Sequence, residues 1–181
     1  MTTEITPYKL YIFDKDGCLC KSVVEPKSGK THAPNRLEDQ EYFEDVEARM
    51  YDLKAEGHTL AVASNQGGVA FGIFTADEAD LLVKAAAVYI GAAAYRVCLY
   101  HPKGKIDSYS KESFDRKPAP GMLLSLMTEL GFTPEQTVMI GDWESDKQAA
   151  AAAGCAFIWA HEFFGRVDPF ADRFHAALGV K

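Results

Sequence analysis

The sequence predicts an α/β fold in which a mostly parallel sheet is covered on both faces by helices. Two observations carry that expectation. Short apolar runs bounded by polar or turn residues recur along the chain, and segments with helical spacing separate them. Such alternation requires crossover connections, which leave successive strands parallel.

Taken in order, residues 8–13 read as a buried strand that stops at Asp14. Residues 41–56 set Phe43, Val46, Met50 and Leu53 on one helical stripe, and Gly57 closes it as a left-handed cap. A strand follows at 58–64. Thr75, with Glu78 three residues on, has the form of a capping box and opens an alanine-rich helix running to Ile90. A strand at 94–100, a helix at 121–130 before Gly131, a strand at 137–140, a helix at 145–153 before Gly154 and a strand at 155–160 complete the alternation. Two polar stretches interrupt it, 20–40 and 101–117, and loops of that length are commonly functional or disordered.

A chain of 181 residues, 48% hydrophobic and 25% charged, fits one globular domain over 1–181 with both long loops near its site. The net charge of -7 argues against a nucleic-acid or anionic-membrane partner, because both require a clustered basic face. A small anionic ester remains compatible with a locally positive site. No basic stretch leads into a long apolar run, so the expected location is cytoplasmic. Cys18, Cys20, Cys98 and Cys155 lack disulfide-dense spacing, which fits a reduced compartment. The oligomeric state is not fixed by the sequence, and a monomer is compatible with it.

Four polar segments fall at or beyond the carboxyl ends of predicted strands: Asp14-Lys15-Asp16-Gly17, Ser64-Asn65-Gln66, Arg116-Lys117-Pro118 and the stretch from Gly141-Asp142 to Asp146. Open α/β sheets bind ligands at that edge. An aspartate there can attack phosphorus and form an acyl phosphate that water then cleaves, which makes Asp14 the expected nucleophile. Residues two apart in extended backbone point the same way, so Asp16 is expected to serve as acid and then base, with Gly17 turning the chain away. Repulsion between a carboxylate and a phosphate dianion must be offset. Lys117 and a magnesium ion on Asp14, the Asp16 carbonyl and Asp142 are expected to do this. Ser64 and the amide of Asn65 are expected to bind phosphate, and Asp146 to support the metal or hold Lys117. Taken singly, each segment also reads as a turn or a capped helix start. Their shared location weighs against four coincidences.

These motifs resemble those of the haloacid dehalogenase (HAD) superfamily of aspartate-nucleophile phosphatases, over residues 8–159. The longer strings from Ser64 to Thr75 and from Arg116 to Met122 resemble the branch that holds histidinol-phosphate phosphatase, heptose-1,7-bisphosphate 7-phosphatase and the polynucleotide 3′-phosphatases. The resemblance implies magnesium dependence and a Rossmann-like three-layer core with little or no cap. Many members of this branch carry a zinc loop before the motif lysine. Here Cys98 and His101 stand at its start, but 111–116 contains no cysteine, so no structural zinc is expected. Trp159, His161, Phe163, Phe164, Phe170 and Phe174 are expected to pack rather than to stack bases.

The expected activity is a magnesium-dependent phosphomonoester hydrolysis on a small metabolite such as a sugar phosphate or bisphosphate. A nucleic-acid 3′-phosphatase and a non-catalytic phosphate-binding module are the alternatives.

Overall fold

The computed structural model describes residues 8–168. Its framework is a five-stranded parallel sheet in the order β5-β4-β1-β6-β7. The strands are β1 (Leu10–Phe13), β4 (Thr59–Asn65), β5 (Ala94–Cys98), β6 (Thr137–Gly141) and β7 (Ala156–Trp159). A separate antiparallel ribbon is formed by β2 (Val23–Val24) and β3 (Thr31–His32).

Side chains alternate across a strand, so β1 feeds two cores at once. Tyr11 and Phe13 face α1 (Val46–Ala55), α2 (Ala76–Ile90) and α5 (Ala160–Phe164), through Met50, Leu53, Val83 and Phe163. Leu10 and Ile12 face α3 (Gly121–Leu130) and α4 (Glu144–Ala153), through Leu126 and Ala149, with Met139 of β6 beside them. Both faces of the central strand are therefore dry. This explains why β1 reads as a continuous apolar run rather than an alternating one.

Most expected boundaries hold to within a few residues, with two informative differences. The first helix begins at Val46, not at residue 41. Cys20 bridges Tyr42 in antiparallel fashion, and the Tyr42 ring stacks on Tyr89 at 3.7 Å, so this stretch is held extended by tertiary contacts. The strand expected to reach residue 100 ends at Cys98, beyond which Tyr100 and Tyr109 pack the following loop together. Thr75 and Glu78 form the expected capping box.

The connection from β1 to α1 holds only the small ribbon and a single 3-10 turn at Leu37–Asp39, so no inserted cap domain interrupts the described residues there. No helix among the described residues is long and apolar enough to cross a membrane. Phe163 and Phe164 pack against the first core, as expected. Phe170 and Phe174 lie outside the described residues.

Candidate active site

β1 runs out at Asp14, whose amide donates to the Ile140 carbonyl at 2.9 Å. Phe13 is level with Val62 of β4 and with Ile140 of β6, so the next residues on all three strands emerge together at one edge. That register carries Asp14, Ser64 and Asp142 to the same edge of the sheet.

Lys117 arrives from the far end of the 101–117 loop. Its Nζ lies 2.6 Å from Asp14 Oδ1, 2.7 Å from Asp146 Oδ1 and 2.8 Å from the Ala63 carbonyl, which occupies all three of its protons. Asn65 fixes the lysine's backbone from both sides, its Nδ2 donating to Lys117 O at 2.9 Å and its Oδ1 accepting from Lys117 N at 3.1 Å. The side chain of Asn65 is thus committed to positioning Lys117, and any contact it makes to phosphate would come from its main-chain amide.

Electrostatically the site is short of positive charge. Asp14, Asp142 and Asp146 offer oxygens within 4.8 Å of one another around the single ammonium. Burial, reinforced by Asp146 and Asp16 and opposed by Lys117, pushes Asp14 up to about 7. Burial and then the charges of Asp14 and Asp146 push Asp142 up to about 8. Burial acts to lower Lys117, but Asp14 and Asp146 more than offset it and hold the ammonium above its ordinary range. One oxygen of Asp142, Oδ1, is buried without a hydrogen-bond partner. An all-oxygen donor set with an orphaned carboxylate oxygen and excess negative charge suits a hard divalent cation. Asp146 joins this cluster directly and is also paired with Lys117.

Asp16 is oriented differently. Its carboxylate contacts the Nζ of Lys15, a fully buried lysine, and accepts from Gln66 Nε2 at 2.8 Å. The same Nε2 donates to Ser64 Oγ at 2.9 Å, and Lys15 also reaches Gln40 Oε1 at 3.3 Å. Neither Lys15 nor Gln66 has an expected role in the sequence analysis above. Gln66 carried a signal, since it lies two residues beyond Ser64. Lys15 carried none, because the residue between two aspartates on extended backbone is expected to point away from the site.

Gly17 completes the turn. Its φ is +84°, and a Cβ there would collide with the Asp142 carboxylate. A cavity of about 200 Å³ opens over Asp14, Asp16, Asn65 and Lys117, bordered by Ala33, Trp143 and Ser145. Ala33 belongs to the 20–40 segment, so that loop overhangs the site. The 101–117 loop contributes Lys117 to the lining. Cys98 is buried with its Sγ toward the Tyr100 carbonyl, and His101 lies against Phe71.

Residues 114–162 match the HAD-hydrolase-like family model. The chain is 31% identical over 145 residues to the D-glycero-beta-D-manno-heptose-1,7-bisphosphate 7-phosphatase of Escherichia coli K12, covering 77% of this chain and 72% of that protein. It is 32% identical over 126 residues to the enzyme of the same name from Photorhabdus laumondii, and there the match spans 66% of each chain, just under two thirds of the relative's length. The structure of D,D-heptose 1,7-bisphosphate phosphatase from B. bronchiseptica, complexed with magnesium and phosphate, superposes with a TM-score of 0.66 at 23% identity, covering 82% of this chain and 78% of that one. The chain belongs to the HAD superfamily of phosphatases.

Proposed function

We propose that this protein is a magnesium-dependent phosphomonoester hydrolase that forms an aspartyl phosphate on Asp14 and acts on a small phosphorylated sugar. The observation that carries this reading is Asp14 at a strand end, paired to buried Lys117 within an all-oxygen carboxylate cluster. The names of the E. coli and Photorhabdus relatives support a sugar phosphate, and the magnesium and phosphate of the B. bronchiseptica complex support the cation.

Asp14 would attack phosphorus in line with the leaving oxygen, while Asp16 gives its proton to the departing alkoxide. Asp16, now deprotonated, would take a proton from water as that water attacks the phosphorus of the acyl phosphate. Phosphate leaves and Asp14 is regenerated. Lys117 would hold Asp14 in place and offset the charge of the incoming dianion, and Ser64 with the Asn65 amide would hold its oxygens. Asp14, the Asp16 carbonyl and Asp142, with Asp146 beside them, would hold magnesium, which when bound lowers the repulsion between carboxylate and phosphate.

Phosphate release from sugar phosphates in magnesium tests this reading. Asp14→Asn is expected to lower kcat by about 10⁴-fold or more, as loss of a nucleophile does elsewhere, and EDTA to stop turnover. Undiminished turnover in Asp14→Asn would overturn it.

A further inference from the structure

The cavity over Asp14 has an aromatic wall that the reaction does not require. Trp143 follows Asp142 directly, and its backbone is fixed by the residue that holds Lys117. Its amide donates to Asp146 Oδ2 at 3.0 Å, and its carbonyl accepts from Asp146 N at 3.0 Å. Trp143 is 64% exposed, and among the described residues its indole makes no hydrogen bond or ring contact. The chain's other tryptophan, Trp159, packs edge-on against Phe157. A tryptophan offers a large apolar face with one polar edge, a combination enriched where one molecule meets another.

The rest of the lining says what that cover is. Lys117 is the only cation bordering the cavity among the described residues, and its three protons are committed. Lys15, the other ammonium at the site, is buried and held by Asp16 and Gln40, and the Lys21, Arg36 and Arg116 side chains have partners of their own in Glu41 and Glu44, Glu38 and the Tyr100 carbonyl. Besides Asp14, Asp16, Asn65, Lys117 and Asp146, the cavity is lined by Trp143, Ala33 and Ser145, which offer an indole, a methyl group and a hydroxyl. This combination of one apolar face and a few polar contacts suits a ring with a C–H face and a hydroxylated edge.

We propose that Trp143 is a specificity-determining residue, its indole being the platform on which the ring of a cyclic sugar leaving group stacks. The proposal rests on the phosphatase reading above and names the part of the substrate that reading leaves open. The ring's apolar face lies on the indole, and its hydroxyls face Ser145 and solvent.

The test compares a pyranose 6-phosphate with acyclic β-glycerol phosphate, using the wild type, Trp143→Ala and Trp143→Phe. Loss of the stacking face is expected to reduce kcat/KM for the pyranose ester about tenfold in Trp143→Ala, mainly through KM. Turnover of β-glycerol phosphate and inhibition by inorganic phosphate should change less than twofold, and Trp143→Phe should recover most of the pyranose activity. Equal loss on both esters, or no loss on either, overturns the proposal. If the wild type hydrolyses neither ester, the phosphatase reading fails instead. The platform is then tested by binding, because the pyranose phosphate should quench tryptophan emission in Asp14→Asn but not in the Asp14→Asn, Trp143→Phe double variant. Equal quenching in both would overturn it.

Discussion

Gln66 carries no charge, yet one nitrogen of its amide orients both Ser64 and Asp16. Replacing it with leucine leaves two polar groups at the site without that donor, a loss worth about 1–3 kcal/mol where such groups are buried. Gln66→Leu is therefore expected to lower kcat by about 10- to 100-fold, each tenfold step being roughly 1.4 kcal/mol, with the sheet intact by circular dichroism. Steady-state kinetics on β-glycerol phosphate measures this, and unchanged kcat would show that Asp16 is oriented by Lys15 alone. The sequence displayed most of the clustered residues and few of the bonds between them. Asp14 and Asp142 were legible because each follows an apolar run, and Lys117 because the Arg116-Lys117-Pro118 string resembles a motif of the family. The commitment of Asn65 to the Lys117 backbone, and of Lys15 to Asp16, was not legible, because both depend on how distant loops close over the strand ends.

At the level of elements, the helices announced themselves through caps. Thr75 accepts from the Glu78 amide while the Glu78 carboxylate accepts from the Thr75 amide, at the start of a helix that supplies Leu82, Val83 and Ile90 to the core. Thr75→Ala should cost about 1 kcal/mol of stability, the usual worth of such a cap. Urea denaturation would show a lower midpoint at unchanged slope, and no change in midpoint would mean that packing alone sets this terminus. The 20–40 segment was the least legible stretch. Its two strands have two residues each, too short for any periodicity to show, and its attachment runs through a Cys20–Tyr42 bridge and a Tyr42–Tyr89 stack that no local pattern encodes. The same contacts displaced the start of α1 by five residues from the expected position.

For the whole molecule, the carboxylate cluster links stability to pH and to metal. Burial, helped by the neighbouring carboxylates, pushes Asp14 up to about 7 and Asp142 up to about 8 in the folded state, from an ordinary value of 3.8. The folded protein then holds protons that the unfolded chain releases. That stabilisation is complete below about pH 4 and is lost as pH rises through 7 to 8. Protein in EDTA is expected to melt at a lower temperature at pH 8.5 than at pH 5.5, and magnesium to raise Tm more at the higher pH, where the oxygens are free to bind it. Differential scanning fluorimetry across that range checks this, and a magnesium shift independent of pH would contradict it. The order of strands has a further consequence for the making of the protein. The acidic cluster is split between the first strand and the fourth of the five sheet strands in chain order, so a growing chain at the ribosome carries Asp14 long before Asp142 and Asp146 exist to join it. Until β6 emerges and docks beside β1, the half-made polypeptide lacks the gathered carboxylates on which the proposed ion binding and ester cleavage depend.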